Sequence, residues 1–143
     1  LNRLFISSFY RLSVLSFYRY SMIEKKFLYA VVGASNNEEK YGYKVFKDLI
    51  DAGYKIVPIN PNEKEILGEK VYPNISALQE KIDVVIFVTP PVVTEKVLEE
   101  TKTLGIKNIW LQPGAQSDAA IEFCKKNGIE CIHDTCIMIE KKV

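Results

Sequence analysis

The sequence predicts an α/β fold, a doubly wound parallel sheet of about five strands in a single domain. Three observations carry that expectation. Short, unbroken apolar runs such as Phe27–Val32 and Asp83–Val88 are too short for buried helices and read as strands covered on both faces. Amphipathic stretches follow the runs, with apolar residues three to four apart. Gly53, Gly105 and Gly128 recur where each helical stretch should end, just before the next run.

The first unit runs from Phe27 to Gly42, FLYAVVGASNNEEKYG. Its strand breaks at Gly33-Ala34-Ser35, and from about Lys40 the spacing of Tyr43, Phe46, Leu49 and Ile50 predicts a helix. A small-residue turn between strand and helix leaves backbone N–H groups at a helix start pointing outward, a ready anion site. Tyr54–Ile59 reads as the second strand, stopping at Asn60-Pro61, with Pro58 placing it where one N–H stays unpaired. The segment NEKEILGEKVYPN reads as a loop holding a short strand around Lys70–Tyr72, and Ser76 as the cap of a short helix through Leu78.

Asp83–Val88 is the plainest buried strand and ends in Thr89-Pro90-Pro91, with Pro91 well suited to a first helical position. Val93, Val97, Leu98, Thr101 and Leu104 give that helix one apolar side. Ile106–Leu111 is a further strand, ending in Gln112-Pro113-Gly114-Ala115. Ser117 or Asp118 caps a helix through Lys126, and Ile129–Ile132 is a last strand before His133-Asp134-Thr135-Cys136 and a charged end. Right-handed crossovers place the loops that follow the strands along one sheet edge, where ligands of such folds bind.

Composition narrows the function classes. All three arginines and five of the eight serines lie in residues 1–21, which contain no acid, while the rest of the chain holds 16 Lys against 18 Asp and Glu. The remaining 122 residues therefore present no basic face for nucleic acid. No apolar run approaches the ~18–20 residues of a bilayer span. Residues 1–21 read as a leader without a folded core, and residues 22–143 as the domain. The leader's Arg- and Ser-rich composition fits a mitochondrial transit peptide. Its six aromatics fit translated upstream or non-native sequence instead, with Met22 the start. Cys124, Cys131 and Cys136 form no CxxC pair, and with one His there is little to ligate a metal. A reducing, cytoplasmic setting is expected, or a mitochondrial one if the leader is genuine.

The crevice does not suit a nicotinamide dinucleotide. The G-x-G-x-x-G fingerprint would need glycine at positions 35 and 38, which are Ser35 and Glu38, and the second strand ends in Asn60 rather than an acid. No P-loop is present. A phosphate-bearing nucleotide held without those grips remains.

The blocks VVGAS, KYG, GYKIVPINP, ILGEKVYPNI, WLQPGA and DTCIMIE, in that order and spacing, carry a resemblance over Phe27–Glu140. The chain resembles the small stand-alone CoA-binding proteins, relatives of the CoA-binding domain of succinyl-CoA synthetase alpha subunits. The resemblance implies a Rossmann-like domain that binds coenzyme A or an acyl-CoA and has no catalytic site of its own. On the matching positions, it implies that Gly33, Ala34 and Ser35 turn over the phosphates and that Lys40, before Tyr41-Gly42, adds positive charge. Gly42 would allow close approach of the helix. Asn60 and Pro61 would border the adenosine, Thr89, Pro90 and Pro91 would flank the nucleotide or pantetheine arm, and Gln112, Pro113, Gly114 and Ala115 would shape the far side. Thr135 stands where the family commonly has Arg, which removes a planar cation from the last loop.

Other residues invite plainer readings. His133 sits at a strand end where the family carries no catalytic His, so a structural place is expected. Cys136 could exchange with the CoA thiol, though a buried, inert Cys is the commoner case. Trp110 reads as core, and the Glu99-Glu100 and Lys125-Lys126 pairs as solvated helix faces. Beside the binder stand two alternatives: a subunit of a CoA-linked ligase or transferase needing a partner chain, and an NAD(P)-linked oxidoreductase. Self-association into a homodimer is left open.

Overall fold

In the computed structural model the described residues are 21–141. The expectation of a leader falls, but for Ser21, outside them. The strands are β1 (Leu28–Val32), β2 (Lys55–Ile59), β3 (Glu65–Ile66), β4 (Glu69–Lys70), β5 (Val84–Phe87), β6 (Asn108–Leu111) and β7 (Glu130–Ile132). The helices are α1 (Tyr41–Asp51), α2 (Pro91–Thr103), α3 (Asp118–Lys126) and α4 (Ile137–Glu140), with one 3-10 turn at Ile75–Ala77.

Five strands form a parallel sheet in the order β2-β1-β5-β6-β7. Val32 lies in register with Ile59 on one side and Phe87 on the other, and Phe87 with Leu111, so the strands end along one line. The chain reverses its direction of winding between β1 and β5, and the crevice above that switch point is where such sheets bind ligands.

Both sheet faces are covered, as the unbroken apolar runs require. Successive residues alternate between them. Tyr29, Val31, Ile86 and Trp110 pack with Val45, Phe46 and Leu49 of α1 and Ile137 of α4. Ala30, Val32, Phe87 and Leu111 pack with Leu98 of α2 and Ala120 and Cys124 of α3. Met22 and Ile23 are buried on the α1 side, so the chain immediately before β1 belongs to the core.

Pro58 sits on the edge strand. The carbonyl of Pro58 accepts from Tyr72 N (3.0 Å) and Asn60 N donates to Tyr72 O (3.0 Å), so residue 58 faces the outer edge, where its missing N–H breaks no ladder bond. Pro91 opens α2, and Ser117 caps α3 by accepting from Ala120 N at 3.0 Å.

Three expectations change. Residues 65–70 form a hairpin rather than a loop, closed by Leu67 and Gly68, both at positive φ. Its Ile66 is fully buried against the α1 side, an anchor that the polar composition around it hides. The short turn at Ile75 is capped by Asn74, whose Oδ1 accepts from Ala77 N at 2.9 Å, and not by Ser76. The charged end folds as α4, because Ile137 has a place in the core.

Candidate functional site

The turn after β1 is built from backbone bonds that Gly33 makes possible. Its N–H donates to Ile59 O at 3.0 Å, tying the turn to β2, and its φ of +92° belongs to the region that favours glycine. A Cβ on Gly33 would lie 2.2 Å from Val88 O, and one on Gly42 would lie 2.0 Å from Gly33 O. The start of α1 therefore presses against the turn with no room for a side chain between them.

Asparagines stiffen the loop. Asn60 Nδ2 donates to Ala34 O (2.8 Å) and its Oδ1 accepts from Asn62 N (2.8 Å). Asn36 Nδ2 donates to Glu63 Oε2 (2.7 Å) and to Glu65 O (2.8 Å), clasping the loop to the β3 side of the hairpin. Ser35 Oγ accepts from Asn37 N at 3.0 Å, and Asn37 Oδ1 from Glu39 N at 3.0 Å. These local bonds are the Asx- and Ser-type turns that such residues favour.

The result is a set of donors facing one place. Lys40 occupies the N-cap of α1 in an extended conformation, and no side chain caps the helix. Lys40 O takes the N–H groups of Tyr43 (3.1 Å) and Lys44 (3.2 Å), while those of Tyr41 and Gly42 have no acceptor among the described residues. Ser35 is only 8% exposed yet lines the cleft, and its hydroxyl proton has no acceptor among those residues. Two backbone donors, one hydroxyl and the helix dipole favour an anion here.

The cleft has a volume of about 680 Å³, in the range of small-molecule sites. Of the residues singled out from sequence, it brings together Gly33, Ser35, Lys40, Tyr41, Gly42, Asn60, Pro61, Thr89, Pro90, Pro113, Gly114 and Ala115. Lys40 is the one cation among the described lining residues. Thr89 Oγ1 shares a 2.7 Å hydrogen bond with Thr94 Oγ1, which holds the loop after β5 to the first turn of α2.

Three of the expected residues do not line it. Ala34 is buried in the core, and only its carbonyl serves the loop. Pro91 starts α2 behind the rim. Gln112 turns the other way: its Oε1 accepts from Ile137 N at 2.8 Å and its Nε2 donates to Cys136 Sγ at 3.2 Å, fastening α4 to the end of β6. Alternation along β6 sends Gln112 to the α4 side and leaves the following loop at the cleft. His133–Cys136 also lies away from the cleft, because β7 is the far edge strand. His133 Nδ1 pairs there with Asp134 Oδ2, and Thr135 O accepts from Trp110 Nε1 at 3.1 Å.

Sequence reading missed part of the lining. Pro73, Asn74, Ile75, Val93 and Val97 line the cleft, and so does Glu100, which was expected on a solvated helix face. The Pro-Asn pair at 73–74 was the available signal, since it marks a turn close to the second strand.

Such a sheet, with a cleft and a tight strand-to-helix turn at its switch point, defines a Rossmann-like α/β domain. The family of the CoA binding domain matches residues 28–142, and the chain belongs to that family. It is 35% identical over 118 residues to an ADP-forming acetate–CoA ligase of Methanocaldococcus jannaschii, covering 77% of this chain and 17% of the ligase. It is 32% identical over 114 residues to the uncharacterized protein YneT of Bacillus subtilis, covering 80% and 84%. A conserved hypothetical protein of Pyrococcus furiosus superposes with a TM-score of 0.77 at 42% identity, covering 79% of this chain and 97% of that one. The chain thus spans less than a fifth of the archaeal ligase and most of the small relatives. Among the described residues no helix is long and apolar enough to cross a membrane.

Proposed function

We propose that the chain binds coenzyme A in this cleft, with the diphosphate over the Gly33–Gly42 turn. The observation that carries the reading is the close seat of Gly42 on Gly33 O, with Tyr41 and Gly42 in the lining of the crevice and their N–H groups without an acceptor among the described residues. Ser35 Oγ adds a donor, and Lys40 adds charge that a CoA phosphate would neutralise. Asn60 acts through the backbone of Ala34 and supports the loop. The chain performs no chemistry alone in this reading and works in a reducing, cytoplasmic setting.

A second reading has a specific observation behind it. The archaeal ligase is far longer than the matched region, and a subunit alpha of ADP-forming acetate–CoA ligase II from Pyrococcus furiosus is covered over only 26% of its length. A CoA-binding chain that works with a separate ligase partner would serve the same cleft. Copurification of a nucleotide-binding partner chain would favour it.

Calorimetric titration of the chain with CoA, dephospho-CoA and NAD tests the primary reading. Micromolar CoA affinity with much weaker NAD is the expected result. NAD binding without CoA binding would overturn the reading and restore the oxidoreductase alternative.

A further inference from the structure

None of the three cysteines lines the cleft, and two of them meet elsewhere in the fold. Cys124 lies near the end of α3, and Cys131 lies in β7, the edge strand of the sheet. The turn between them doubles back on itself. Cys124 O accepts from Asn127 N (3.3 Å) and Ile129 N (2.9 Å), and Gly128 takes a φ of +63°. Strand alternation decides the rest. Ile132 packs on the α1 side of the sheet, so its neighbour Cys131 turns to the α3 side. There Cys131 packs against the apolar cluster that contains Cys124, and the two thiols share a hydrogen bond.

Both sulfurs are free thiols; Cys124 is buried and Cys131 half-buried. Their contact favours one thiolate. The hydrogen bond from Cys131 holds the Cys124 thiol below its ordinary value against the opposing effect of burial. The same bond, burial and the charges of Cys124 and Asp134 hold the Cys131 proton up. A proton in such a bond can cross between the sulfurs, so the half-buried Cys131 can be the thiolate that meets a small oxidant. Cys136 has no such partner: it sits beside α4 on the α1 side, where its sulfur accepts from Gln112 Nε2 at 3.2 Å.

We propose that Cys124 and Cys131 form a modification site, a dithiol that a hydroperoxide closes reversibly to a disulfide fastening α3 to the sheet edge. The Cys131 sulfur attacks the outer peroxide oxygen, the O–O bond breaks, and a sulfenic acid and water (or an alcohol) result. The Cys124 sulfur then attacks the Cys131 sulfur, the S–S bond forms, the S–O bond breaks, and water leaves with the remaining thiol proton. Two thiols lose two electrons and the peroxide gains them. A small-molecule dithiol returns both sulfurs by exchange. The site is independent of what the cleft binds.

The test treats the full chain with hydrogen peroxide, alkylates the remaining thiols and maps the peptides by mass. The expected product has lost two hydrogens, carries one link between Cys124 and Cys131, and leaves Cys136 to the alkylating agent. The link closes a loop of only six intervening residues, 125–130, so it should raise the urea midpoint modestly. Dithiothreitol should abolish both the link and the shift. Cys131→Ser should form no link under the same treatment. Oxidation of Cys131 to the sulfinic acid with Cys124 still free would overturn the proposal. So would a link through Cys136, a Cys124–Cys131 link that forms only in urea, or resistance to peroxide that oxidises glutathione. A link that lowered the midpoint would overturn the claim that the fold already holds the two sulfurs in place.

Discussion

The carbonyl oxygen of Gly33 occupies the space in which a side chain on Gly42 would begin, 2.0 Å from an ideal Cβ there. Strand end and helix start are in backbone contact, and the direction of the α1 N–H groups depends on that contact. Gly42→Ala must push the turn and helix apart. A gain in helix propensity of about 1 kcal/mol offsets only part of the strain. A net loss of about 2–3 kcal/mol is expected in denaturant unfolding. The folded fraction should bind CoA at least tenfold more weakly by calorimetry, an estimate of about 1.4 kcal/mol in binding. Unchanged stability and affinity would show that the turn yields freely.

Lys40 contributes charge more than structure, since its side chain caps nothing. Lys40→Ala should leave the unfolding midpoint within experimental error and weaken CoA binding about tenfold at low salt. The gap between variant and parent should narrow as salt rises, because an exposed ion pair is screened. A salt-independent gap would mean that the lysine acts by packing.

Gln112 is a structural bracket that only looked like a cleft residue. Replacing it by Leu removes the acceptor for Ile137 N, which is buried. The cost should be about 1–3 kcal/mol of stability, with faster hydrogen exchange at Ile137. CoA affinity of the folded protein should not change. A large loss of affinity at unchanged stability would put Gln112 back in the site.

Tyr29 links the residues before β1 to the core. Its hydroxyl donates to Met22 O (2.8 Å) and accepts from Glu24 N (2.9 Å), and burial pushes its phenol well above the ordinary range. The folded state therefore holds this proton more tightly than the unfolded chain. Its contribution is fully present below the unfolded value of about 10 and is lost as pH rises beyond it. Stability should fall steeply in strong alkali, and Tyr29→Phe should flatten that fall while lowering stability by about 1 kcal/mol near neutrality. Urea unfolding across alkaline pH would show it. Parallel alkaline profiles for the two proteins would assign the fall to other groups.

Local signals made most of the architecture readable. Val84–Phe87 can only be a buried strand, Pro91 marks a helix start and Ser117 caps the next. The turn at Gly33 and the helix start after Lys40 were readable because the end of an apolar run and the onset of a helical period mark them locally. The hairpin at 65–70 escaped because one buried residue, Ile66, anchors it among charged neighbours. Asn74 and Ser76 are both good caps by type, and only the packing against Glu100 separates their tasks.

By itself the sequence determined a parallel α/β sheet with a small-residue turn between its first strand and first helix, since period, caps and glycine positions are properties of neighbouring residues. Tertiary structure alone decided which loops meet. It turned Gln112 toward α4 and carried the His133 loop to the far edge, and it brought Glu100 and Asn74 into the lining of one cleft. Those outcomes depend on strand order and on which face a side chain leaves. Such quantities sum over the whole sheet and are written in no single stretch of it.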